Sequence, residues 1–374
     1  MIDYQSLDLR NYKIPPTPWI KSVVYVSNAE LRFQIHINNK GKSQSMRNIL
    51  KSTLILGSLI FGFSAFAEQP SADEVVSTME KLNGVTPGAR RNHIRGVCVS
   101  GRFIGSKSAQ AYTRSALFSG KEIPFVGRFS LAGGNPNAPD TAKSPRGLAI
   151  EFKLPKNTIH HFTMLNVPVF SASVPQTFLD SMVANLPDPE TGKPDPQKIQ
   201  AFRESHPDAK PLAEFMSKNN PPVSYANSEF FSIHTFKFIN VKNKTNLVKW
   251  RFEPLAGVKR FSDEDLKSAP TRLLDDDLMG KVKEGPITWS MILTIGEPND
   301  EQNNPTIYWP EGRREINAGT LTVTSAASQL GGPCEQINFD PLFMADGIAP
   351  TNDPILLFRS PAYAQSYAKR LMGK

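Results

Sequence analysis

Arg359 and Tyr363, near the carboxyl end of the chain, have the spacing at which two side chains meet on one face of a helix. A guanidinium group in that position stabilises a phenolate anion. Asp353 followed by Pro354 is typical of a helix start, whereas Pro361 would kink the helix or begin a new one. Ordinary surface pairs have the same spacing, so the chemistry of this pair depends on the rest of the chain.

Two histidines lie in segments that favour chemistry. His93 belongs to RRNHIRGVCVSGRF, just before a predicted strand and among several arginines, and His234 lies inside an apolar predicted strand. Each is also compatible with a structural histidine whose hydrogen bonds are satisfied. His160 and His161 are adjacent in a predicted loop and could ligate a metal, although consecutive side chains usually point apart.

The charge of the chain does not favour a nucleic-acid partner. The formal net charge is +8, but residues 1–67 contain eight basic and three acidic residues, so about +3 remains without them. The composition, with 39% hydrophobic and 21% charged residues, is that of a globular protein with a sizeable core.

The segment from Met46 to Ala67, MRNILKSTLILGSLIFGFSAFA, has a basic start, an apolar run and a small-x-small ending. This layout predicts a signal peptide at 46–67 and a mature protein that begins near Glu68 without a stable membrane anchor. Residues 1–45 would then be an upstream extension that is not part of the real protein, because translation would start at Met46. An uncleaved anchoring helix is the alternative. In a Gram-negative bacterium the destination would be the periplasm.

The remaining chain, 68–374, is predicted to form a single α+β domain. Strand patterns occur at 96–103, 123–131, 147–154, 229–241, 246–253, 287–295 and 319–325, and helical patterns at 71–82, 177–186 and 196–218, with a charged helical insert between the strands at 246–253 and 287–295. Strands interrupted by a helical block predict an antiparallel barrel or sandwich with helices packed outside.

Five segments in this order resemble haem catalases. They are RRNHIRGVCVSGRF, GRFSLAGGNPNAPDTAKSPRGLAIEFKLP, MLNVPVFSASVPQTF, SIHTFKFINVKNKTNLVKWRFEP and INFDPLFMADGIAPTNDPILLFRSPAYAQSYAKR, which ends in an RxxxY motif. The resemblance covers nearly all of the chain after the leader. Catalases also have a long amino-terminal arm and a carboxyl-terminal helical domain, which the matching segments do not include. The chain is therefore more similar to the small, truncated catalase-related haem peroxidases, a family of secreted bacterial proteins. The implied fold is an antiparallel β-barrel of about eight strands with helices outside.

The resemblance implies a haem cofactor, expected to be type b, and a role for each matching residue. Tyr363 would be the axial metal ligand, with Arg359 stabilising its phenolate and His234 behind that arginine. His93 would act as general base and then general acid, with its ring oriented by Ser130. The matching residues assigned to the cofactor surroundings are the propionate-binding Arg90 and Arg128 and the porphyrin-packing Phe178.

Two departures from the catalase pattern favour oxidation of small organic donors over dismutation. The position of the distal asparagine, three residues before Pro168, is occupied by Leu165, and Asn166 is its neighbour, so either the loop shifts or the amide is missing. Ala132 replaces a channel-narrowing valine. The expected function is a peroxidase that reduces hydrogen peroxide or organic hydroperoxides, and the alternatives are a catalase of modest rate, a hydroperoxide-rearranging enzyme or a non-catalytic haem-binding barrel.

The two cysteines, Cys98 and Cys334, are too few to define a disulfide framework from sequence. In the resembled barrel the first and last strands are neighbours, and these cysteines lie in and just after those strands. The resemblance therefore leaves both a disulfide and two free thiols open.

Overall fold

The strands of the protein form one antiparallel sheet. The computed structural model describes residues 69–373, so the predicted extension at 1–45 and signal peptide at 46–67 lie outside the described residues. Within that range the strands are β1 (Gly96–Gly105), β2 (Glu122–Leu131), β3 (Arg146–Leu154), β4 (Thr158–Leu165), β5 (Phe230–Phe231), β6 (Phe236–Ile239), β7 (Thr245–Pro254), β8 (Ile287–Ile295), β9 (Glu315–Ser328) and β10 (Ile348–Pro350).

The sheet closes on itself as the predicted barrel of eight strands. The order around the barrel is β7, β5, β4, β3, β2, β1, β9 and β8, and the pairing of β8 with β7 completes it, while β6 and β10 extend from β7. Alternating side chains fill the interior with aromatic rings; Phe103, for example, packs edge to face against Phe152 and Phe252 with centroids 5.6 and 6.4 Å away. Closure leaves the barrel with a rigid wall on which side chains can be fixed.

Helices lie outside this barrel. They are α1 (Ala72–Asn83), α2 (Pro175–Ala184), α3 (Pro196–Ser205), α4 (Lys210–Lys218), α5 (Asp263–Ser268), α6 (Leu274–Glu284) and α7 (Pro354–Leu371). Val75 of α1, Leu179 and Met182 of α2 and Phe358 of α7 share one apolar cluster, which holds these three helices together. The helix that carries Arg359 and Tyr363 is thereby fixed on two sides.

Helix α7 begins as its sequence predicts. Asp353 is the N-cap, its side chain accepting from the backbone N–H groups of Ile355 and Leu356, and Pro354 occupies the first turn. The helix continues through Pro361 to Leu371, so that proline neither ends it nor starts a second helix. Arg359 and Tyr363 consequently lie one turn apart on a continuous helix.

Three segments differ from their predicted secondary structure. The segment around His160 and His161, predicted as a loop, is strand β4. The predicted strand 229–241 is broken into β5 and β6 because Ile233 has a left-handed φ of 55°. The predicted helix 196–218 divides into α3 and α4 where Pro207 follows His206, as a proline disfavours helical backbone in the residue before it.

A disulfide joins Cys98 and Cys334, whose Cα atoms are 5.3 Å apart. Both residues are fully buried and pack with Phe339. The bridge attaches the loop after β9 to the first strand of the barrel. Among residues 69–373, no helix combines the length and apolarity that a membrane crossing needs.

Candidate functional site

A cavity of about 390 Å³ lies between the barrel and the helices α1, α2 and α7. Strands β2, β3 and β4 supply one wall, and α7 supplies Arg359 and Tyr363 on another. Its volume falls in the range of about 300–1,000 Å³ typical of cofactor and ligand sites. His93, Ser130, Arg90, Arg128, Phe178, Arg359 and Tyr363, all predicted site residues, line this one cavity.

On one side of the cavity, five side chains form a hydrogen-bonded relay. Arg359 donates from Nη2 to the Tyr363 hydroxyl (2.7 Å) and from Nη1 to Nε2 of His234 (3.1 Å). Nδ1 of His234 donates to Oδ2 of Asp353 (2.7 Å). Nη2 of Arg359 also donates to Thr163 Oγ1 on β4 (2.8 Å). The guanidinium is therefore fixed from three directions with one edge against the phenol.

The relay places one negative and one positive charge behind Tyr363. Because Nε2 of His234 accepts from Arg359, its ring is the neutral tautomer with the proton on Nδ1. Burial lowers the pKa of His234 from its ordinary value, a shift that the hydrogen bond from its Nδ1 to the Asp353 carboxylate opposes. His234 is fully buried and does not line the cavity, so it acts through Arg359 rather than on a bound molecule.

His93 faces the cavity from the other side. Its Nδ1 is 2.9 Å from Oγ of Ser130, and among the described residues its Nε2 makes no hydrogen bond. When Nδ1 donates to the serine, the Nε2 lone pair is available to a molecule in the cavity. Burial, followed by the charges of Arg128, Arg359 and Arg90, lowers the pKa of His93 to about 3, so the ring is neutral at ordinary pH.

The backbone around His93 is specially arranged. His93 has a left-handed φ of 55°, and Oδ1 of Asn92 accepts from the N–H groups of His93 (2.8 Å) and Gly133 (2.7 Å), which holds the turn. Gly147 leaves the space that the ring needs, because a Cβ there would lie 2.8 Å from Ser130 Oγ and 3.0 Å from His93 Cε1. Neither the left-handed backbone at His93 nor the space beside Gly147 could be predicted from the residue types alone.

Three arginines, Arg90, Arg128 and Arg370, converge on one end of the cavity. Arg90 donates from Nη2 to the carbonyls of Cys334 (3.2 Å), Glu335 (3.1 Å) and Ile337 (2.8 Å). Burial, together with the charges of Arg128 and Arg370, lowers the pKa of Arg90 to about 8. This cluster has more positive than negative charge, which favours an added anion.

The third member of that cluster, Arg370, was not predicted. It lines the cavity, stacks on the ring of Tyr367 at 4.6 Å, and has a buried Nη2 without a hydrogen-bond partner in the described structure. Burial lowers its pKa. Its spacing of seven residues from Tyr363, two helical turns, is the sequence feature that could have identified it.

Arg128 is oriented by protein groups on both sides. Its Nη2 donates to the His93 carbonyl (2.6 Å) and its Nε donates to Oε1 of Gln329 (2.6 Å). Burial lowers its pKa to about 10. Arg128 thus links the backbone that carries His93 to the positively charged end of the cavity.

The structure settles which side chain faces the cavity near Pro168. Leu165 lines it, whereas Asn166 is turned away, with Oδ1 accepting from the backbone N–H of Arg146 (2.6 Å). No shift of the loop brings this amide beside His93. Ala132 also lines the cavity, and Phe178 contributes an aromatic face, 5.6 Å from the ring of Phe170.

His160 and His161 do not form a site together. They point to opposite faces of β4: His160 is buried among aromatic rings and accepts from the Ala345 N–H, while His161 contacts Glu151 and the Asp340 carbonyl. Residues 69–373 contain no group of three or more histidine, cysteine, aspartate or glutamate side chains able to hold a metal ion. The interpretation of these two histidines as metal ligands has no support.

Comparisons with known proteins point to one family. Residues 75–374 match the family model described as Catalase. The chain is 50% identical over 318 residues to a catalase-related peroxidase of Synechococcus elongatus, covering 85% of this chain and 93% of that protein. It is 27% identical over 301 residues to a catalase-related peroxidase of Mycolicibacterium paratuberculosis, covering 80% and 94%.

Two solved structures show the same fold. A crystal structure of a fungal catalase superposes with a TM-score of 0.70 at 22% identity, covering 76% of this chain and 60% of that one. Catalase A from Saccharomyces cerevisiae gives a TM-score of 0.69 at 23% identity, covering 76% and 62%. The chain therefore spans about three fifths of the length of these two catalases.

Proposed function

Because the chain belongs to the catalase family, and covers 93% and 94% of the two catalase-related peroxidases but 60% and 62% of the two catalases, we propose that it is a haem-dependent peroxidase that uses small organic molecules as electron donors. The family makes the protein an oxidoreductase that acts on peroxide. The observation that carries the finer proposal is that the relay ending at Tyr363 and the pair of His93 and Ser130 face one cavity, with Leu165 lining it at the position three residues before Pro168.

The residues present fit haem. The orphaned Nη2 of Arg370, beside Arg90 and Arg128, suits the carboxylates of the porphyrin, because guanidinium groups bind carboxylates in bidentate geometry. Tyr363 is the oxygen donor that would bind the iron, and Phe178 would offer an aromatic surface to the ring. Haem of type b, which needs no covalent attachment, is the form we propose.

The chain's own residues divide the work between the two sides of the cavity. Haem, when bound, supplies the redox chemistry that cleaves the O–O bond of a peroxide. The Arg359 guanidinium stabilises Tyr363 as the phenolate, and the Asp353 carboxylate keeps His234 in the tautomer that accepts from Arg359. Nε2 of His93 takes the proton of the hydroperoxide and returns it to the departing oxygen.

Leu165 decides between the two reactions of the family. Dismutation needs a second peroxide to be held and oriented, and Leu165 offers no hydrogen bond with which to hold it. An organic donor only has to approach closely enough to give up an electron, and Ala132 leaves room for that approach. These two side chains support donor oxidation over release of O₂.

The test is a measurement of O₂ release and donor oxidation in the same purified holoprotein. We expect phenolic or aminoaromatic donors to be oxidised readily, with O₂ release well below that of a full-length catalase, and Leu165→Asn to shift the ratio towards O₂. Release of O₂ at catalase rates without donor oxidation would replace the proposal with a catalase. Haem binding without turnover of any peroxide would replace it with a haem-binding barrel.

The site of action in the cell is part of the proposal. The basic start, apolar run and small-x-small ending at 46–67 support export, and a buried disulfide is compatible with an oxidising compartment. We propose the periplasm of a Gram-negative bacterium. Fractionation followed by amino-terminal sequencing of the exported protein, expected to begin near Glu68, tests this directly.

A further inference from the structure

Helices α3 and α4 form a layer outside the cavity that is attached differently from α1, α2, α6 and α7, each of which has buried residues. None of the residues of α3 or α4 is buried. Polar contacts fasten the connection between them: Asp208 Oδ2 accepts from the N–H (2.8 Å) and Oγ (2.6 Å) of Ser173, and Nε2 of His206 lies 3.2 Å from Asp180 of α2. The layer is thus held at its edge, without apolar anchoring in the core.

One side chain of this layer reaches the cavity. Leu212, near the start of α4, lines it, whereas Phe215 and Met216 of the same helix line a smaller neighbouring space with Asn166 and Arg146. Helix α4 therefore covers the segments that carry Leu165 and Gly147. Leu212 is the point where this cover meets the cavity.

Leu212 lies one turn before Met216, which shares a small space with Arg146 and Asn166, and the Ser217 carbonyl of the same helix accepts from Lys143 (3.5 Å), so this part of α4 packs beside the segments that precede Gly147 and follow Leu165. Leu212 shares the lining with Ala132, two residues after Ser130, and with Pro145, two residues before Gly147. Ser130 and Gly147 directly contact or approach the His93 ring. Apart from the polar groups around His93, the neighbouring wall is apolar, and it suits a carbon substituent better than a water-like molecule.

We propose, on the basis of the proposed peroxidase function, that Leu212 is the specificity-determining residue for the size of the peroxide. The substrates in question are organic hydroperoxides, ROOH, with a compact apolar group R packed between Leu212, Leu165 and Ala132. The balanced reaction is ROOH + 2 DH → ROH + H₂O + 2 D•, where the organic donor DH supplies both electrons. Hydrogen peroxide needs none of this space and is therefore insensitive to the size of residue 212.

The test compares kcat/KM for cumene hydroperoxide and hydrogen peroxide in the holoprotein with one fixed phenolic donor. Leu212→Ala should raise the ratio of cumene hydroperoxide to hydrogen peroxide about tenfold, and Leu212→Trp should lower it by about the same factor. The matched control is Met216→Ala, which shortens an apolar side chain of the same helix outside the cavity and should leave the ratio within about twofold. Haem content per chain is measured for each variant.

The outcomes separate this inference from the proposed function. Wild-type peroxidase activity with the same ratio in Leu212→Ala, Leu212→Trp and the control overturns the role of Leu212 and leaves the proposed function standing. A change of equal size in Met216→Ala also overturns it, because the effect would then come from loosening α4. Absence of donor oxidation with either peroxide in the wild-type holoprotein overturns the proposed function and this inference with it.

Discussion

Asp353 performs two tasks that a single substitution can separate. Its Oδ1 accepts from the N–H groups of Ile355 (2.9 Å) and Leu356 (3.1 Å) and so caps α7, while Oδ2 accepts from Nδ1 of His234 (2.7 Å). Asp353→Asn keeps an oxygen for the cap and replaces the charged oxygen with an NH₂ group. We expect the helix to form and the relay behind Tyr363 to fail.

The magnitude follows from the bonds that are lost. A buried hydrogen bond to a charged group contributes about 1.5–3 kcal/mol. An NH₂ group facing Nδ1 forces the His234 proton onto Nε2, where it opposes Nη1 of Arg359, so the 3.1 Å bond between them is lost as well, at about 1 kcal/mol. Because the NH₂ group still donates to Nδ1, the charged bond is replaced by a weaker neutral one, and the free energy of unfolding should fall by about 2 kcal/mol. Arg359, left with Thr163 and Tyr363 as partners, should hold the phenolate less firmly.

Two readouts and a matched control test this reasoning. Chemical denaturation reports the stability, and the absorption spectrum of the ferric holoprotein reports the change at Tyr363. The control is Asp195→Asn, since Asp195 caps α3 through Gln197 without a histidine partner, and this variant should change the unfolding free energy by less than about 0.5 kcal/mol. An Asp353→Asn holoprotein with the wild-type spectrum and stability would refute the relay.

Three further predictions concern groups outside that relay. Burial lowers the pKa of His160 to about 3, so below pH 6.5 the unfolded state binds more protons and the stability of the protein falls as the pH decreases. His160→Gln should remove about 2 kcal/mol of the stability that is lost between neutral pH and pH 5. Equal pH slopes of the wild type and the variant in urea denaturation would contradict this. Arg370→Gln should release haem to apomyoglobin at least about tenfold faster than wild type, since a charged hydrogen bond is worth about 1.5–3 kcal/mol, whereas Arg114→Gln at the exposed pair with Asp346 should not. Protein denatured without reductant should show no free thiol, and two titratable thiols would exclude the bridge. Replacing both Cys98 and Cys334 with serine should lower the free energy of unfolding by about 5 kcal/mol and speed haem loss.

The sequence predicts the parts of the fold that have local patterns. The strand at 287–295 has the predicted bounds, and the cap and first-turn proline of α7 are confirmed. Strand β4 was missed because its sequence, TIHHFTML, places two adjacent histidines where a strand with one buried face would alternate. Both histidines are buried, one in the barrel and one under the loop that carries Asp340. A single sequence does not show that both faces of a strand are buried when the covering loop is distant in the chain.

The sequence motifs identified most of the residues that were assigned to the site. The cavity gathers the predicted residues, apart from His234, which lies behind Arg359. Asp353 and Thr163 were missed as relay members because their partners are 119 and 196 residues away in the chain. The left-handed backbone of Ile233, which breaks the strand beside His234, likewise depends on tertiary contacts. Glycine is the residue type that usually indicates such a backbone, and position 233 is not a glycine.

Closure of the barrel has a consequence for how the protein acquires its shape. Strand β1 pairs with β9, so Val97 meets Ser328 across most of the described chain, and a sheet dominated by such distant contacts folds slowly. His93 and Arg90 precede the first of these strands, and the carbonyls that hold Arg90 follow the last. Arg90 and the carbonyls that hold it therefore meet only when β1 pairs with β9. Cofactor uptake should accordingly be among the last events of folding, and its rate should report completion of the barrel.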